Sequence, residues 1–358
     1  MSGKFEWTDF KEVDLQDSFF DSLKNDYNEF SQWFNKKVLN QERALVFKDE
    51  DGIEAFLYLK EEKEPLELKG QTLPDTPRLK IGTLKLAERF RGQRLGEGAI
   101  GVALWKWQES GLDEIYVTVF EKHDTLTTLF SIFGFEKIGE NDRGESVYLK
   151  NKNKLDYSNP KKSFPFINPY FDRAGLLPIN DVYHDKLLPY SELHGNDGKE
   201  IEEITAGNGV TKIFIASPFT AMSYRVNDPL LIYRIYTGTE GKKTFKSVIT
   251  SYGCITRTKV IKSNRQQIVS CEEFFKLVGN KSVFTKEDLV EMYKTKSNLV
   301  ILEFVYNGYF GKGNNVNHST LSKHSLFEAH PYKIKYNKEQ FKKILGLGRV
   351  DFRNILNE

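Results

Sequence analysis

The spacing of apolar residues changes several times along this sequence, and these changes predict its elements. Between residues 5 and 40, aromatic and aliphatic side chains recur at helical spacing with a break at 25–28, which predicts two short amphipathic helices. Residues 43–48 and 54–61 are strand-like, and the Asp51-Gly52 pair between them is typical of a hairpin turn. Two helices and a β-hairpin are therefore expected first.

A strand, a glycine-containing loop and a helix follow in direct succession. The polar loop 66–77 leads into an apolar strand at 78–86, and the helix after the glycine loop ends at Gly111. Gly82 interrupts this strand, so we expect the strand to splay open there.

Two further strands complete the first half of the chain. They are predicted at 114–120 and 144–149, and between them lies a short helix that Asp124 caps and Gly134 ends. The predicted order over residues 1–150 is therefore two helices, a hairpin, and then strand, helix, strand, helix and strand.

Beyond residue 150 the apolar spacing becomes mainly strand-like. Prolines, lysines and asparagines interrupt residues 151–177, which predicts a linker. A period of two then predicts strands at 211–217, 229–236, 246–261 and 299–309, and helical spacing predicts helices at 271–278, 285–293 and 337–345. The third strand is long enough to bend around a barrel, so we expect 178–358 to form a small β-barrel with inserted helices.

Composition places the chain among ordinary globular proteins. Its 358 residues are 39% hydrophobic and 28% charged, and this length favours two domains. No apolar run approaches the length of a membrane span, and the N-terminus lacks the apolar segment of a signal peptide, so a cytoplasmic protein is expected. Cys254 and Cys271 have no metal or redox spacing, and the histidines have no ligand spacing, so no metal site is predicted.

The net charge of +2 conceals an asymmetry between the two halves. Residues 1–150 carry 21 Lys and Arg against 29 Asp and Glu, a net charge of −8, and residues 151–358 carry 31 against 21, a net charge of +10. This division favours a polyanionic partner for the second half, although lysines that only solubilise that half would give the same count.

Three glycines between the strand at 78–86 and the following helix mark the main candidate site. Gly92, Gly96 and Gly98, with Arg91 and Arg94 among them, suit a phosphate or pyrophosphate at the helix N-terminus. The spacing excludes both a nucleotide-triphosphate P-loop and the dinucleotide Gly-x-Gly-x-x-Gly motif. A glycine-rich turn that binds no ligand remains the structural alternative.

The segment Gln93-Arg-Leu-Gly96-Glu-Gly98 resembles motif A of the GNAT superfamily of acyl-CoA N-acyltransferases, Gln/Arg-x-x-Gly-x-Gly/Ala. Residues 129–135, Leu-Phe-Ser-Ile-Phe-Gly-Phe, are similar to that family's Leu-Tyr-x-x-x-Gly-Phe. The resemblance covers about residues 5–150 and implies a mixed-sheet α/β acetyltransferase domain that uses acetyl-CoA as its cosubstrate, with the pantetheine arm on 84–86 and the pyrophosphate on 93–98. It implies as cofactor-binding residues Leu84, Lys85, Leu86, Arg91, Gly92, Gln93, Arg94, Leu95, Gly96, Glu97 and Gly98.

The chain departs from the family pattern at the positions that move protons. Phe130 stands where family members commonly have a tyrosine that protonates the leaving thiolate, and phenylalanine cannot donate a proton. His123 replaces a common asparagine, and Arg78 and Lys80 stand where some members have a glutamate base. The pKa range of histidine makes His123 a candidate acid or base, against the alternative of an exposed loop residue with no role.

The second half resembles the PUA-like group, in its ASCH and EVE branches, over residues 213–218, 227–235 and 248–255. Members of that group include readers of RNA and modified bases. Basic, hydroxyl and aromatic residues near the predicted strand ends suit phosphate contacts and base stacking, although tyrosines in strands more commonly pack across the sheet. The candidate nucleic-acid-binding residues are Arg225, Tyr233, Arg234, Lys246, Ser251 and Tyr252.

Three hypotheses of function follow. The first is an N-acetyltransferase whose basic PUA-like domain recruits an RNA, such as tRNA. Family members that inactivate aminoacyl-tRNA are toxins, so an antitoxin protein is an expected partner by analogy. The second is an acetyltransferase for a protein or small-molecule amine, and the third is a nucleic-acid sensor that binds CoA without turnover, which the loss of the tyrosine favours.

Overall fold

A computed structural model describes residues 4–50, 52–88, 92–189, 191, 205–218 and 222–358. Contacts divide the chain into two units, Met1–Leu155 and Asp156–Glu358. In the described part of the chain, no helix is both long enough and apolar enough to cross a membrane. The assignment of the units to an acetyltransferase domain and a PUA-like domain remains a prediction.

The first unit is built on a seven-stranded mixed sheet in the order β1-β2-β3-β6-β7-β9-β8, and β4 and β5 form a separate hairpin. The strands are β1 (Lys4–Asp9), β2 (Arg43–Asp49), β3 (Gly52–Glu62), β4 (Leu66–Leu68), β5 (Gln71–Leu73), β6 (Arg78–Leu86), β7 (Glu114–Val119), β8 (Glu136–Glu140) and β9 (Ser146–Asn151). The helices are α1 (Asp21–Asp26), α2 (Phe30–Leu39), α3 (Leu95–Ser110) and α4 (Asp124–Ile132).

Strands β6 and β7 are parallel, whereas the other adjacent strands described in this sheet are antiparallel. Parallel neighbours require a crossover connection, and α3 supplies it. The carboxyl ends of β6 and β7 therefore lie at the same edge of the sheet, close to the start of α3.

Alternation along β2 and β3 gives the sheet two apolar faces. Val46 and Phe56 join the aromatic cluster of the α1–α2 region, whereas Phe47 and Ala55 pack with Leu95 of α3. In the first cluster, the Phe10 ring meets Phe34, Phe56, Trp33 and Tyr58 edge to face. The helices α1 and α2 thus cover one face and α3 covers the other.

Most of the predicted elements of the first unit are confirmed within a few residues. The structure adds strands that the pattern did not predict, namely β1, β8 and the hairpin of β4 and β5. The hairpin lies in the segment predicted as a polar loop. Its strands have three residues each, which is too short to establish an apolar period.

The second unit contains an eight-stranded sheet, in which β11-β15-β13-β12-β10-β17 form one path and β14 and β16 pair with β13. The strands are β10 (Ala174–Asn180), β11 (Thr211–Ala216), β12 (Pro229–Ile235), β13 (Val248–Ser263), β14 (Gln266–Gln267), β15 (Leu299–Tyr309), β16 (Val316–Asn317) and β17 (Lys335–Tyr336). The helices are α5 (Pro160–Ser163), α6 (Asp181–Leu187), α7 (Thr205–Asn208), α8 (Lys243–Lys246), α9 (Cys271–Val278), α10 (Lys286–Thr295), α11 (His318–Lys323), α12 (Lys338–Leu347) and α13 (Phe352–Leu356).

Capping boxes begin two of the later helices. Thr285 and Asp288 form a capping box at the start of α10, and Asn337 and Gln340 form another at the start of α12. In each box the side chain of the first residue accepts from the backbone N–H of the second, and the second returns the interaction.

Two expectations for this half differ from the structure. Among the described residues the sheet is an open path with β11 and β17 at its ends, and no closed barrel is found. Residues 156–177, predicted as linker, are packed into the unit: Phe164 and Ile167 are fully buried, and the Ile167 N–H donates to the Ile355 carbonyl at 2.9 Å. Their prolines interrupt secondary structure without removing the apolar side chains that fill the core.

Strand β10 contains Pro178 at a position where only one neighbouring strand pairs with it. Pro178 pairs with Tyr233 of β12 on one side, whereas the pairing of β10 with β17 involves Ala174 and Gly175. The proline thus lies where that second neighbour has ended, and the missing N–H costs no ladder bond there.

We expect Gly253→Ala to destabilise the second unit and Gly346→Ala to be neutral or stabilising. A Cβ on Gly253, in β13, would collide with the backbone carbonyl oxygen of Val305, which cannot move without disturbing β15. Such overpacking costs about 1–3 kcal/mol. Gly346 is exposed in α12 and a Cβ there meets nothing within 4 Å, so alanine gains about 0.5–1 kcal/mol of helix propensity. Urea unfolding of both variants measures the difference, and equal midpoints would contradict it.

Candidate functional site

The parallel strands β6 and β7 pair over only part of their length. Their pairing runs from Arg78 opposite Glu114 to Ile81 opposite Val117, whereas β6 continues to Leu86 and remains paired with β3. Leu79 and Ile81 in the paired half are 4% and 2% exposed, but residues 83–86 are only half-buried. The two strands therefore diverge and leave a cleft between their carboxyl ends.

The divergence begins at Gly82, where the sequence predicts it. Tyr58 of β3 lies opposite Thr83 and Leu59 lies opposite Ile81, so Gly82 is an extra residue on β6. A Cβ at Gly82 would lie 2.9 Å from Cδ1 of Tyr58, which is closer than real Cβ atoms approach. A bulge of this kind bends its strand and increases the local twist, which accounts for β6 leaving β7.

The start of α3 lies beside the end of β6. A Cβ on Gly96 would lie 2.8 Å from Cδ1 of Leu86 and 3.3 Å from Cδ2 of Leu129, so glycine permits the close approach of α3 to both β6 and α4. Gly92 has a φ of 83°, a conformation that favours glycine. A helix N-terminus leaves its first N–H groups without intrahelical acceptors and carries partial positive charge, so this end of α3 suits an anion.

The predicted arginines of the glycine loop have different outcomes. Arg91 lies outside the described residues. The Arg94 side chain is 7% exposed, and its Nε and Nη2 lie 3.0 and 2.7 Å from Oε2 of Glu97. Glu97 thus offsets the positive charge of Arg94 within the first turn of α3, and the ligand contact of Arg94 stays a prediction.

His123 and Phe130, considered from the sequence for proton transfer, lie at the start of α4 and within it. His123 is exposed at the N-cap position of α4, and its side chain makes no capping hydrogen bond. Phe130 is 1% exposed and packs against the rings of Phe135 and Tyr148 at centroid distances of 5.2 and 6.2 Å. Phe130 is thus a packed core residue.

Sequence patterns did not identify a set of polar contacts between the α1–α2 turn and the ends of β7 and β9. Tyr27 Oη donates to Oε1 of Glu145 at 2.7 Å, and the Tyr27 ring lies 5.9 Å from that of Phe120. An ion pair joins Lys122 to Asp26, with Nζ and Oδ1 2.7 Å apart. Burial first, and then Glu145, raise the pKa of Tyr27 well above its ordinary range. These contacts hold the α1–α2 turn over the α1–α2 face of the sheet.

Lys85 lies on β6 within the diverging segment and faces the same helices. Its Nζ lies 2.5 Å from Oγ of Ser22 in α1 and 4.9 Å from the ring centroid of Phe19. Burial lowers the pKa of Lys85, and the carboxylates of Asp21 and Asp26 oppose this effect. Its neighbours along the strand, Leu84 and Leu86, alternate to the opposite face.

The residues predicted to contact nucleic acid in the second unit are mostly occupied by protein partners. Arg225 is paired with Asp172 and Asp228, and Arg234 donates from Nε and Nη2 to the two oxygens of Asp185 at 2.8 Å each. The side chains of three others are buried, at 4%, 0% and 4% exposure for Tyr233, Ser251 and Tyr252. This placement differs from the predicted surface contacts, because consecutive residues of β12 and of β13 are buried here, so that both faces of these strands are covered.

Lys246 is a predicted contact residue that the structure leaves on the surface, as is Arg225, whose side chain is 51% exposed but paired with aspartates. Lys246 lies in the connection between β12 and β13 with the exposed Lys242 and Lys243, and the adjacent Phe245 is 54% exposed. Nζ of Lys246 lies 4.6 Å from the ring centroid of Tyr236. This segment, residues 236–247, combines lysines with aromatic rings and is hereafter called the β12–β13 loop.

Six side chains form a continuous hydrogen-bonded chain inside the second unit. Neighbouring polar atoms lie between 2.6 and 2.9 Å apart. The members in order are Tyr306, Ser191, Ser251, Thr250, His184 and Asp185. Asp185 is an acceptor for Nδ1–H of His184, so Nε2 must accept from Thr250, and each hydroxyl then donates toward the histidine. Burial lowers the pKa of His184, which keeps its ring neutral.

No protein-family model and no curated protein matches the sequence. Solved structures similar to the N-terminal part of the chain include a mutant of the toxin AtaT bound to the C-terminus of the antitoxin AtaR and acetyl-CoA, with 15% identity over 43% of this chain and 95% of that chain and a TM-score of 0.33. A PaiA N-acetyltransferase from Thermoplasma acidophilum in complex with coenzyme A is 13% identical over 42% and 99%, with a TM-score of 0.31. The NatC complex bound to Gag peptide and CoA is 15% identical over 42% and 96%, with a TM-score of 0.30.

We expect the second unit to lose stability as the pH falls below about 6.5. The folded pKa of His184 lies below its ordinary value of 6.5, so the unfolded chain binds an additional proton once the pH drops through 6.5. One such proton costs about 1–2 kcal/mol between pH 7 and pH 5. His184→Gln should be less stable at pH 7 but should show a smaller loss between these two pH values.

The matched control is His324→Gln, which removes an exposed histidine. Thermal unfolding of the three proteins at pH 7 and pH 5 measures these effects. A pH dependence in His184→Gln equal to that of the wild type would contradict a neutral, buried His184.

Proposed function

We propose that the chain is an acetyl-CoA-dependent N-acetyltransferase. The observation that carries this proposal is the cleft between β6 and β7, which opens at Gly82 and ends beside the N-terminus of α3. An extended, partly polar ligand with a negative end fits this arrangement, because one part can pair with an open strand edge and the other can lie at the helix N-terminus. The resemblance of residues 93–98 and 129–135 to the GNAT motifs identifies that ligand as an acyl-CoA.

Each part of the site then has a chemical task. Backbone N–H groups at the start of α3 hold the diphosphate, although that of Gly98 also donates to the Arg94 carbonyl at 3.1 Å. The open edge of Leu84–Leu86 holds the pantetheine arm as an additional strand would. Backbone N–H groups at the cleft polarise the thioester carbonyl, which stabilises the negative charge that forms on its oxygen. Acetyl-CoA supplies the acyl group, and an acceptor amine attacks from the α1–α2 face, which is opposite to α3.

In this proposal, the second unit determines which acceptor amine is acetylated. Of the three hypotheses from sequence, we favour an RNA-linked amine, and the support for it is the β12–β13 loop rather than the buried residues named from sequence. An antitoxin partner would follow from a toxin role and is proposed with it by analogy only. A protein or small-molecule amine is the second candidate, and a sensor that binds CoA without turnover is the third.

Gln93→Glu should weaken acetyl-CoA binding about 10- to 100-fold without destabilising the fold. The change is nearly isosteric and adds one negative charge beside the proposed diphosphate, which corresponds to about 1–3 kcal/mol. The same charge is favourable for the N-terminus of α3, so thermal stability should be unchanged or slightly higher. Gln32→Glu, an equal charge change at an exposed position of α2, is the control. Titration calorimetry with acetyl-CoA decides, and equal affinities for all three proteins would refute the assigned site.

If the full chain binds tRNA, replacement of Lys242, Lys243 and Lys246 by Ala should weaken that binding and reduce its salt dependence. Each phosphate contact contributes about −0.7 to the slope of log affinity against log salt on single-stranded RNA. Two or three lost contacts should therefore flatten the slope by about 1.4–2.1. The triple variant Lys286, Lys294 and Lys296→Ala, on α10 and at the residue that follows it, removes the same charge from exposed positions and is the control. Equal slopes in both variants would remove the loop from consideration.

A further inference from the structure

Lys85 occupies a special position in the cleft. It belongs to the part of β6 that has left β7, and strand alternation directs it away from α3, toward the α1–α2 face. If the diphosphate lies at the α3 end, the acceptor amine must reach the thioester from this opposite face. Lys85 is therefore a cationic or neutral nitrogen on the acceptor side, carried by the same strand that holds the pantetheine arm.

The surroundings of Lys85 restrict the movement of its side chain. Among the described contacts, no carboxylate forms a direct ion pair with it. Nζ lies 2.5 Å from Oγ of Ser22, and the ring of Phe19 lies beneath it at 4.9 Å. The carboxylates that act on it, Asp17, Asp21, Asp26 and Glu88, do so at longer range. By contrast, Lys122 at the end of β7 is bonded directly to Asp26 at 2.7 Å.

The other polar groups near the cleft are less suited to move protons. Tyr27 is bonded to Glu145, whose Oε2 also accepts from Asn141 at 2.9 Å. His123 is exposed at the start of α4, and Phe130 cannot titrate. Lys85 combines partial burial, a fixed side chain and a place on the diverging strand.

We propose that the amine of Lys85 carries the proton between the acceptor and the leaving thiolate. This inference rests on the proposed acetyltransferase function and assigns its missing acid and base to one residue. Neutral Lys85 takes a proton from the acceptor ammonium, and the acceptor nitrogen then bonds to the acyl carbon as the bond from carbon to sulfur breaks. The Lys85 ammonium returns its proton to the thiolate, and the second proton of the acylated nitrogen goes to water. The products are the amide, CoA as the thiol and one proton.

Burial supports this role, because it lowers the pKa of Lys85 and so increases the neutral fraction near neutral pH. The long-range carboxylates act in the opposite direction and favour the ammonium that must form during turnover. A proton carrier must pass through both its neutral and its charged form, and burial and the carboxylates act on that equilibrium in opposite directions.

The first measurement does not require turnover. Wild-type protein is labelled with acetic anhydride across a pH series, and mass spectrometry follows the peptide that contains Lys85. Lys36, which is exposed on α2, is the internal reference. We expect Lys85 to reach half-maximal reactivity at a lower pH than Lys36.

The second measurement uses CoA release from acetyl-CoA with glycinamide as the acceptor probe. Lys85→Met and Lys85→Arg should each reduce kcat about 100-fold or more, because the arginine side chain keeps the charge but does not give up its proton. Lys36→Met should retain wild-type rates. The acid limb of the kcat profile should be lost in Lys85→Met, while the Kd of acetyl-CoA changes by less than about threefold.

These results separate the two proposals. Wild-type protein that fails to bind acetyl-CoA would contradict the acetyltransferase function itself. Normal acetyl-CoA binding, combined with Lys85 labelling that follows Lys36 or with wild-type rates in Lys85→Met, would overturn the role of Lys85 alone. Wild-type activity in Lys85→Arg would show that charge is sufficient and would likewise reject proton transfer.

Discussion

The close contact between Gly82 of β6 and the Tyr58 ring of β3 determines the geometry of the first unit's site. A Cβ at position 82 would lie 2.9 Å from Cδ1 of Tyr58, so any side chain there would force the ring or the strand to shift. The extra residue turns β6 away from β7 while its pairing with β3 continues. A sheet that would otherwise be continuous thereby gains an opening bordered by main-chain groups.

The first turn of helix α3 also has a glycine at a close contact. Gly96 brings the helix against Leu86 and Leu129, so the positive end of the helix and the open strand edge become neighbours. Among the described residues of this turn, Arg94 forms an ion pair with Glu97. Anion binding there would depend on oriented N–H groups, which distinguish shape and direction more than they distinguish total charge.

Much of the first unit could be predicted because its elements have long apolar periods and clear boundaries. The sequence also marks three special backbone conformations: a hairpin turn at Asp51-Gly52, an interrupted strand at Gly82 and a turn at the glycine loop. Contacts between distant segments, such as Tyr27 with Glu145 and Lys85 with Ser22, have no periodic pattern and required the fold.

In the second unit, sequence patterns did not predict which polar side chains are buried. Arg234, Tyr233 and Ser251 have the chemistry of nucleic-acid contacts, but the sheet places them among buried partners. The Arg234 guanidinium holds the pKa of Asp185 well below its ordinary range in spite of burial, and Asp185 in turn orients His184. Residue type predicted which interactions these side chains could make, whereas only topology determined that the partners are internal.

The pairing of β10 with β17 has a consequence for biosynthesis. The first strand of the second unit obtains its outer neighbour from residues 335 and 336, and the Ile167 N–H obtains its acceptor from Ile355. During translation, residues 174–180 therefore leave the ribosome long before the segment that covers them has been made. An apolar strand edge is exposed in the interval, and such an edge is a site for premature association with other chains. The first unit has no such delay, because its described strands all lie before residue 152. Synthesis from the N-terminus therefore favours folding of the first unit while the second unit is still incomplete on the ribosome.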